Sequence, residues 1–249
     1  LVLAALTACN APFHWFVTHG DPHSASRALL ATVNLAVVLT TVIGGRIVPA
    51  FTNSGLRSAP GAVQPSLPWL ERTVVGMTVL VVAIDLVAPG TTVAGLVAGV
   101  AGLAHAWRAA RWAPLRTRGV PLVWVLHLGY AWLPLGLLLK AVALLTGAPF
   151  AAFWLHALTA GALATMILAV MTRASLGHTG RELRAAPATV VAYVLLAAAA
   201  VARVFGPATG ADYFAVLWTA AGLWAAAFAA YLFVYAPILA SARADGRPG

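Results

Sequence analysis

Charge is what this chain has least of. Only 8% of its 249 residues are Asp, Glu, Lys or Arg, where a soluble globular domain carries about 25%. So few charges do not cover a water-facing surface. A soluble domain is therefore excluded, and lipid is the solvent for most of the chain. Cysteine is almost absent: Cys9 stands alone, which rules out an internal disulfide and any multi-cysteine metal site. Lysine occurs once, at Lys140, against abundant alanine and arginine, a usage expected of a GC-rich bacterial source. The net charge of +9 does not indicate nucleic acid, because the basic residues sit in short loops between apolar runs, where they orient helices and meet lipid head groups. An initiator methionine and a signal-peptide pattern are also missing, and Leu1 opens inside an apolar run. The expectation is a fragment whose N-terminal part is missing.

What is present is long apolar segments, with a mean hydropathy of +0.92. They run over roughly 1–17, 28–50, 68–88, 91–110, 120–145, 150–173, 187–205 and 212–240. Crossing the hydrocarbon core takes about 20 helical residues, and all but the first qualify or nearly so. The first is interrupted by Asn10 and Pro12. Without the alternation of a lipid-facing barrel, the expected fold is all-α: one polytopic transmembrane helix bundle over residues 1–249, with about eight spanning helices. Loop charge alternates. Basic loops carry Arg46 and Arg57, then Arg108, Arg111, Arg116 and Arg118, then Arg173, Arg181 and Arg184, and the tail has Arg243 and Arg247. The intervening loops carry at most one basic residue each, which places the basic loops and the C-terminus in the cytoplasm.

Small residues recur at helix spacing. Ala157, Gly161, Thr165 and Ala169 form one stripe, and Gly95 and Gly99 form another continued by Leu103. Both read as ordinary bundle packing. The 46–66 loop, with Pro60, Gly61, Pro65 and Pro68, reads as a stiff connection. Asp85, Lys140 and Arg203 fall in the outer parts of their helices. They could form an ion-pair set, but separate snorkelling to the interface is the expected arrangement.

Seven histidines are the obvious candidates for chemistry: His14, His19, His23, His105, His127, His156 and His178. His127 lies about 9 Å in from the cytoplasmic face and His156 about 9 Å from the outer face, counting about 1.5 Å per residue. Across a core of about 30 Å the two differ by roughly 12 Å in depth. Ligands on one metal must sit at one level, so this pair does not suit a single iron. The level-matched sets are His105 with His127, and His156 with His14, His19 or His23. A lone membrane histidine also serves as an interhelical hydrogen-bond partner. Arg46, after Gly44 and Gly45, and Arg173 could clamp carboxylates such as haem propionates, with positive-inside anchoring as the plainer role. No Ser-His-Asp arrangement or phosphate-binding glycine loop is present, and GHTGR at 177–181 is too short and too basic for one.

Three stretches carry a resemblance: GGRIVPAFTNSGL at 44–56, WVLHLGYAWLPLGLLL at 124–139 and HALTAGALATMILAVMTRASLGHTGREL at 156–183. In order and spacing they resemble the NnrS family of bacterial multi-pass membrane proteins. The resemblance covers essentially the whole chain. It implies a family fold of about twelve membrane helices, of which this chain would hold the last eight. It also implies haem and copper as cofactors, nitric oxide or an iron-nitrosyl species as partner, and a role in denitrification and nitrosative-stress resistance in the bacterial inner membrane. His127 and His156 are the implied haem or copper ligands. Arg46, Arg173 and His178 lie in family-like loops, and a further histidine motif of the family's N-terminal half has no match here. Two other readings stand beside this one: a transporter or permease using Asp85, Lys140 and the histidines, and a membrane sensor or assembly partner.

Overall fold

The computed structural model describes residues 2–56 and 63–246. Arg57, Pro60, Gly61 and Arg247, named above in the basic loops and tail, lie outside the described residues. The chain within them is all-helical. Eight long helices follow one another: α1 (Val2–Thr18), α2 (Pro22–Gly55), α3 (Pro68–Val87), α4 (Thr92–Ala110), α5 (Pro121–Thr146), α6 (Pro149–His178), α7 (Pro187–Phe205) and α8 (Tyr213–Leu239). Six of them (α2 and α4 to α8) are long and apolar enough to cross a membrane. Of the other two, α1 has 17 residues, and α3 carries Glu71, Arg72 and Asp85.

Local chemistry sets the helix ends. Proline, whose missing N–H is harmless in the first turn, opens α2, α3, α5 and α7. Asp21 caps α2 by accepting the Ser24 N–H at 3.0 Å, and Asp212 caps α8 through the Ala215 N–H at 2.8 Å. These signals carry α2 well past the expected 28–50. The expected interruption of the first segment does not occur either: Asn10 and Pro12 both lie inside α1.

The central element is α5, which packs against α4, α6 and α2. Its neighbours approach closely at glycines, and this fixes the register. A methyl group at Gly102 of α4 would come 2.9 Å from Leu138, and one at Gly95 would come 3.1 Å from Leu144. The α4 seam therefore continues at Gly102, correcting the expected Leu103, which is 63% exposed. On the other side of α5, a methyl at Gly161 would lie 2.5 Å from Trp132, and Gly136 faces Leu158 in the same way. The stripe Ala157, Gly161, Thr165 and Ala169 is buried along its whole length, as ordinary packing requires. Within it, Ala157–Leu163 forms a π-helical stretch. Hydroxyl pairs tie α6 to α7 and α8: Thr172 with Tyr193 at 2.6 Å and Ser175 with Tyr231 at 3.2 Å. α8 lies mainly against α7 and leaves Trp218 and Phe233 exposed.

Candidate functional site

The interior holds several polar clusters, which differ in whether their hydrogen bonds are complete. The largest spans α2 to α5. Arg108, counted above with a basic loop, is inside α4 and only 3% exposed. It forms an ion pair with Glu71 through two nitrogens. Its Nη1 donates to the Thr41 carbonyl at 2.9 Å and to the Tyr130 hydroxyl at 3.1 Å. The Thr78 hydroxyl donates to the Val74 carbonyl at 2.7 Å, so its oxygen accepts from His105 Nε2 at 3.0 Å. His105 Nδ1 then accepts from the Tyr130 hydroxyl at 2.8 Å. A one-way chain of donors thus runs Arg108, Tyr130, His105, Thr78, Val74, and both nitrogens of the buried His105 are occupied in a neutral ring. Gly44 and Gly45 make the room: a methyl at Gly45 would overlap the Arg108 guanidinium, and one at Gly44 would come 3.1 Å from the Tyr130 ring.

His127 and Arg173 come to one stretch of α2. The Thr52 hydroxyl donates to the Val48 carbonyl, so it accepts from His127 Nε2 at 2.8 Å. This leaves His127 Nδ1 without a partner among the described residues. Within two residues of Thr52 on α2, Arg173 lies 4.0 Å over the Phe51 ring and donates to Ser54 Oγ at 3.3 Å. Arg173 also lines a cavity of about 520 Å³ with Glu182. His178, at the end of α6, is exposed, and its carbonyl accepts from Arg243 at 2.9 Å.

A third cluster corrects the expectation of separate snorkelling. Lys140 Nζ lies 2.5 Å from both carboxylate oxygens of Asp85. Asn34 donates to the same carboxylate at 2.9 Å. Lys140 also sits 4.7 Å from the Trp154 ring centre. Asp85 and Lys140 are 3% and 2% exposed, so neither reaches the interface. The pair forms because an isolated charge in hydrocarbon is far costlier than a compensated one. Arg203 is not part of it and packs against Phe153 and Tyr213 instead.

That leaves His156. It lines a cavity of about 220 Å³ between α6, α7 and α8 together with Arg203, Ala160, Ala199 and Trp224. Its ring stacks on Phe153 and makes no hydrogen bond among the described residues. Arg203 Nη1 is buried with no partner among the described residues. A π-helical stretch, often found at functional sites, starts at the next residue, Ala157.

The glycine contacts also set the histidines' levels. Gly129 faces Met166 and Gly136 faces Leu158 across α5 and α6, so His127 and His156 are separated by roughly 16 Å along the bundle. The expected separation in depth is present. His105 and His127 are not level. The α4–α5 contacts place His105 opposite about residue 135, roughly 12 Å from His127. The cause is that α5 extends some nine residues past the end of α4, and the connection climbs back through Ala113 at φ 55° and a short 3₁₀ turn at Pro114–Thr117. His14 and His19 are exposed and bonded locally, to Asn10 and to the Trp15 carbonyl. No three His, Cys, Asp or Glu side chains lie together among the described residues.

The model of one protein family, NnrS protein, matches residues 1–243. The chain belongs to the NnrS family. No curated protein and no solved structure matches it. Within this NnrS chain the three family-like stretches meet around α5: Gly44 and Gly45 touch the α4–α5 network, Thr52 binds His127, and Gly161 receives Trp132. The residues that sequence reasoning missed are Arg108, Glu71, Tyr130, Thr78 and Asn34. Burial hid the role of Arg108, because a lone arginine near a helix end reads as a loop charge. An intramembrane Asn at position 34 was a readable polar signal.

Proposed function

We propose that this NnrS chain is a haem-binding inner-membrane protein that acts in nitric oxide metabolism and nitrosative-stress resistance. The family match over residues 1–243 carries the reading. The multi-pass architecture supports it, and the alternation of basic loops supports a cytoplasmic C-terminus.

The donor set around His156 has the chemistry such a group needs, in a cavity of about 220 Å³ that is smaller than a porphyrin and would have to widen between α6 and α8 to take one. An imidazole with no hydrogen-bond partner faces a cavity shared with a guanidinium whose Nη1 is buried and unpartnered. His156 would ligate iron, and Arg203 would neutralise a carboxylate at the rim. Ala160, Ala199 and Trp224 would exclude water. Bound haem supplies an iron that takes up a diatomic ligand or an electron. His127 fits less well, offering Nδ1 only while Nε2 stays on Thr52. His105 would have to give up Tyr130 or Thr78 to ligate anything. Arg46 and His178 lie toward the opposite end of the bundle from His156, so they would serve a separate group. Copper sites draw on several soft or imidazole ligands, and the described residues offer no cluster of three; copper is therefore not assigned a place.

A visible absorption spectrum with metal analysis of the full-length protein tests this. Wild type should show a haem band that His156→Ala loses while still inserting in the membrane, with His127→Ala retaining more of it. A wild-type protein without haem would end the redox reading.

A further inference from the structure

Between α2 and α3, beside the first turns of α3 and roughly 13 Å short of the end of α2, lies a cavity of about 590 Å³ lined by Val42, Arg46, Glu71, Arg72, Val75, Gly76 and Arg108. Three arginines and one glutamate give it a positive balance. Glu71 is already engaged by Arg108, and Arg46 and Arg72, both exposed, have no hydrogen bond or ion pair among the described residues. The cations at the mouth are therefore uncompensated, whereas the charges deeper in are matched.

The surroundings say what kind of anion fits. Trp69 and Trp107 pack edge to face at 5.1 Å and are each about half exposed, which marks the level of the membrane interface. Toward the membrane interior the cleft is apolar, with Val42 and Val75 in its lining and exposed Ile43 and Val79 continuing along the same helices. A ligand meeting all of this carries an anionic group at interface depth and a hydrocarbon part below it. Guanidinium pairs with phosphate through two parallel N–H donors, and basic pockets between membrane helices suit such head groups.

We propose that the Arg46–Arg72 cleft is a binding site for the phosphate of an anionic phospholipid whose acyl chains lie along α2 and α3. The assignment is independent of haem at His156.

The test is thermal unfolding of the delipidated full-length protein in detergent, with phosphatidylglycerol, phosphatidylcholine or inorganic phosphate added. Phosphatidylglycerol should raise the midpoint by about 3 °C or more beyond phosphatidylcholine, the scale of roughly 1 kcal/mol in a chain of this size. The Arg46→Gln/Arg72→Gln variant should lose that preference. The control Arg116→Gln/Arg118→Gln removes the same charge from exposed positions in another basic loop and should keep it. Equal effects of the two lipids, or equal loss in both double variants, would overturn a specific site. An equal shift with inorganic phosphate would make the ligand a free anion and overturn the lipid assignment. Loss of a haem band in Arg46→Gln/Arg72→Gln would give these arginines to the cofactor instead.

Discussion

Removing one member of the Asp85–Lys140 pair should unfold this protein far more readily than removing both. Lys140 has two 2.5 Å contacts to Asp85, and the two side chains are each 2% exposed. In Asp85→Asn, Lys140 keeps only the Trp154 ring 4.7 Å away as a favourable contact and no carboxylate among the described residues, since Asn34 offers the former carboxylate an amide donor. Breaking a buried pair by removing one partner costs about 3–5 kcal/mol. An independent bound comes from proton loss: an ordinary lysine is neutralised at pH 7 for about 5 kcal/mol. The two figures agree, so about 3–5 kcal/mol is expected for Asp85→Asn and a similar loss for Lys140→Met. The double variant has no stranded charge and should recover most of the deficit, because replacing a whole buried pair is often neutral. Equilibrium unfolding of the four proteins in mixed micelles closes the cycle, with a coupling of about 2 kcal/mol or more in favour of the pair. Two single variants that each lose under about 1 kcal/mol and add without coupling would refute the reasoning. That result would mean that the lysine and the carboxylate reach water separately, as the sequence suggested.

Two further predictions concern the α2–α5 network. Gly45→Ala drives a methyl into the Arg108 guanidinium and should cost about 1–3 kcal/mol by overpacking, whereas Gly76→Ala, where a methyl meets nothing, should be neutral or stabilise α3 by about 0.5–1 kcal/mol; thermal unfolding of both variants makes the comparison. Tyr130→Phe removes the hydroxyl shared by Arg108 and His105; Arg108 Nη1 keeps the Thr41 carbonyl, but His105 Nδ1 is orphaned, and this should lower stability by about 1–3 kcal/mol, with faster hydrogen exchange in α4 as a second readout.

What could be read along the chain was largely readable. Apolar length gives the helices, and counting residues from a helix end gives the depth of His127 relative to His156. Both depend on one helix at a time. What failed depended on two. Asp85 and Lys140 lie 55 positions apart, and nothing in either segment says that α3 and α5 bring them together, so each looked like a charge reaching for the interface alone. His105 was placed level with His127 because both were counted from nearby helix ends, but those ends are offset by the climb through Ala113–Thr117. Arg108 failed for a related reason: three positions from the next arginine, Arg111, at a helix terminus, it reads as topology, and only the two glycines on α2 reveal the space made for it. The histidine of most interest, His156, was visible, but its partner Arg203 belongs to another helix and was grouped with the wrong charges.

The polar groups of this interior divide by whether a partner is missing. Arg108, Glu71, Tyr130, His105 and Thr78 close on themselves, as do Asp85, Lys140 and Asn34. In a medium without water a closed set has little reason to bind anything, because each new ligand must break a bond already made. Such sets fix the packing of α2 to α5. His156, Arg203 Nη1, His127 Nδ1, Arg46 and Arg72 are left open among the described residues, as are Trp132 Nε1 and Thr165 Oγ1 on α5 and α6, and each open group beside lipid or a cavity gains from a ligand that supplies the missing partner. The open set has two ends. One has an imidazole and a guanidinium around a small cavity, suited to a metal-bearing group with a carboxylate. The other has two guanidinium groups above an apolar cleft, suited to a phosphate on a hydrocarbon chain. The closed network shares Arg108 with the second end and no residue with the first, so a ligand at either end would meet a scaffold whose own hydrogen bonds do not have to rearrange.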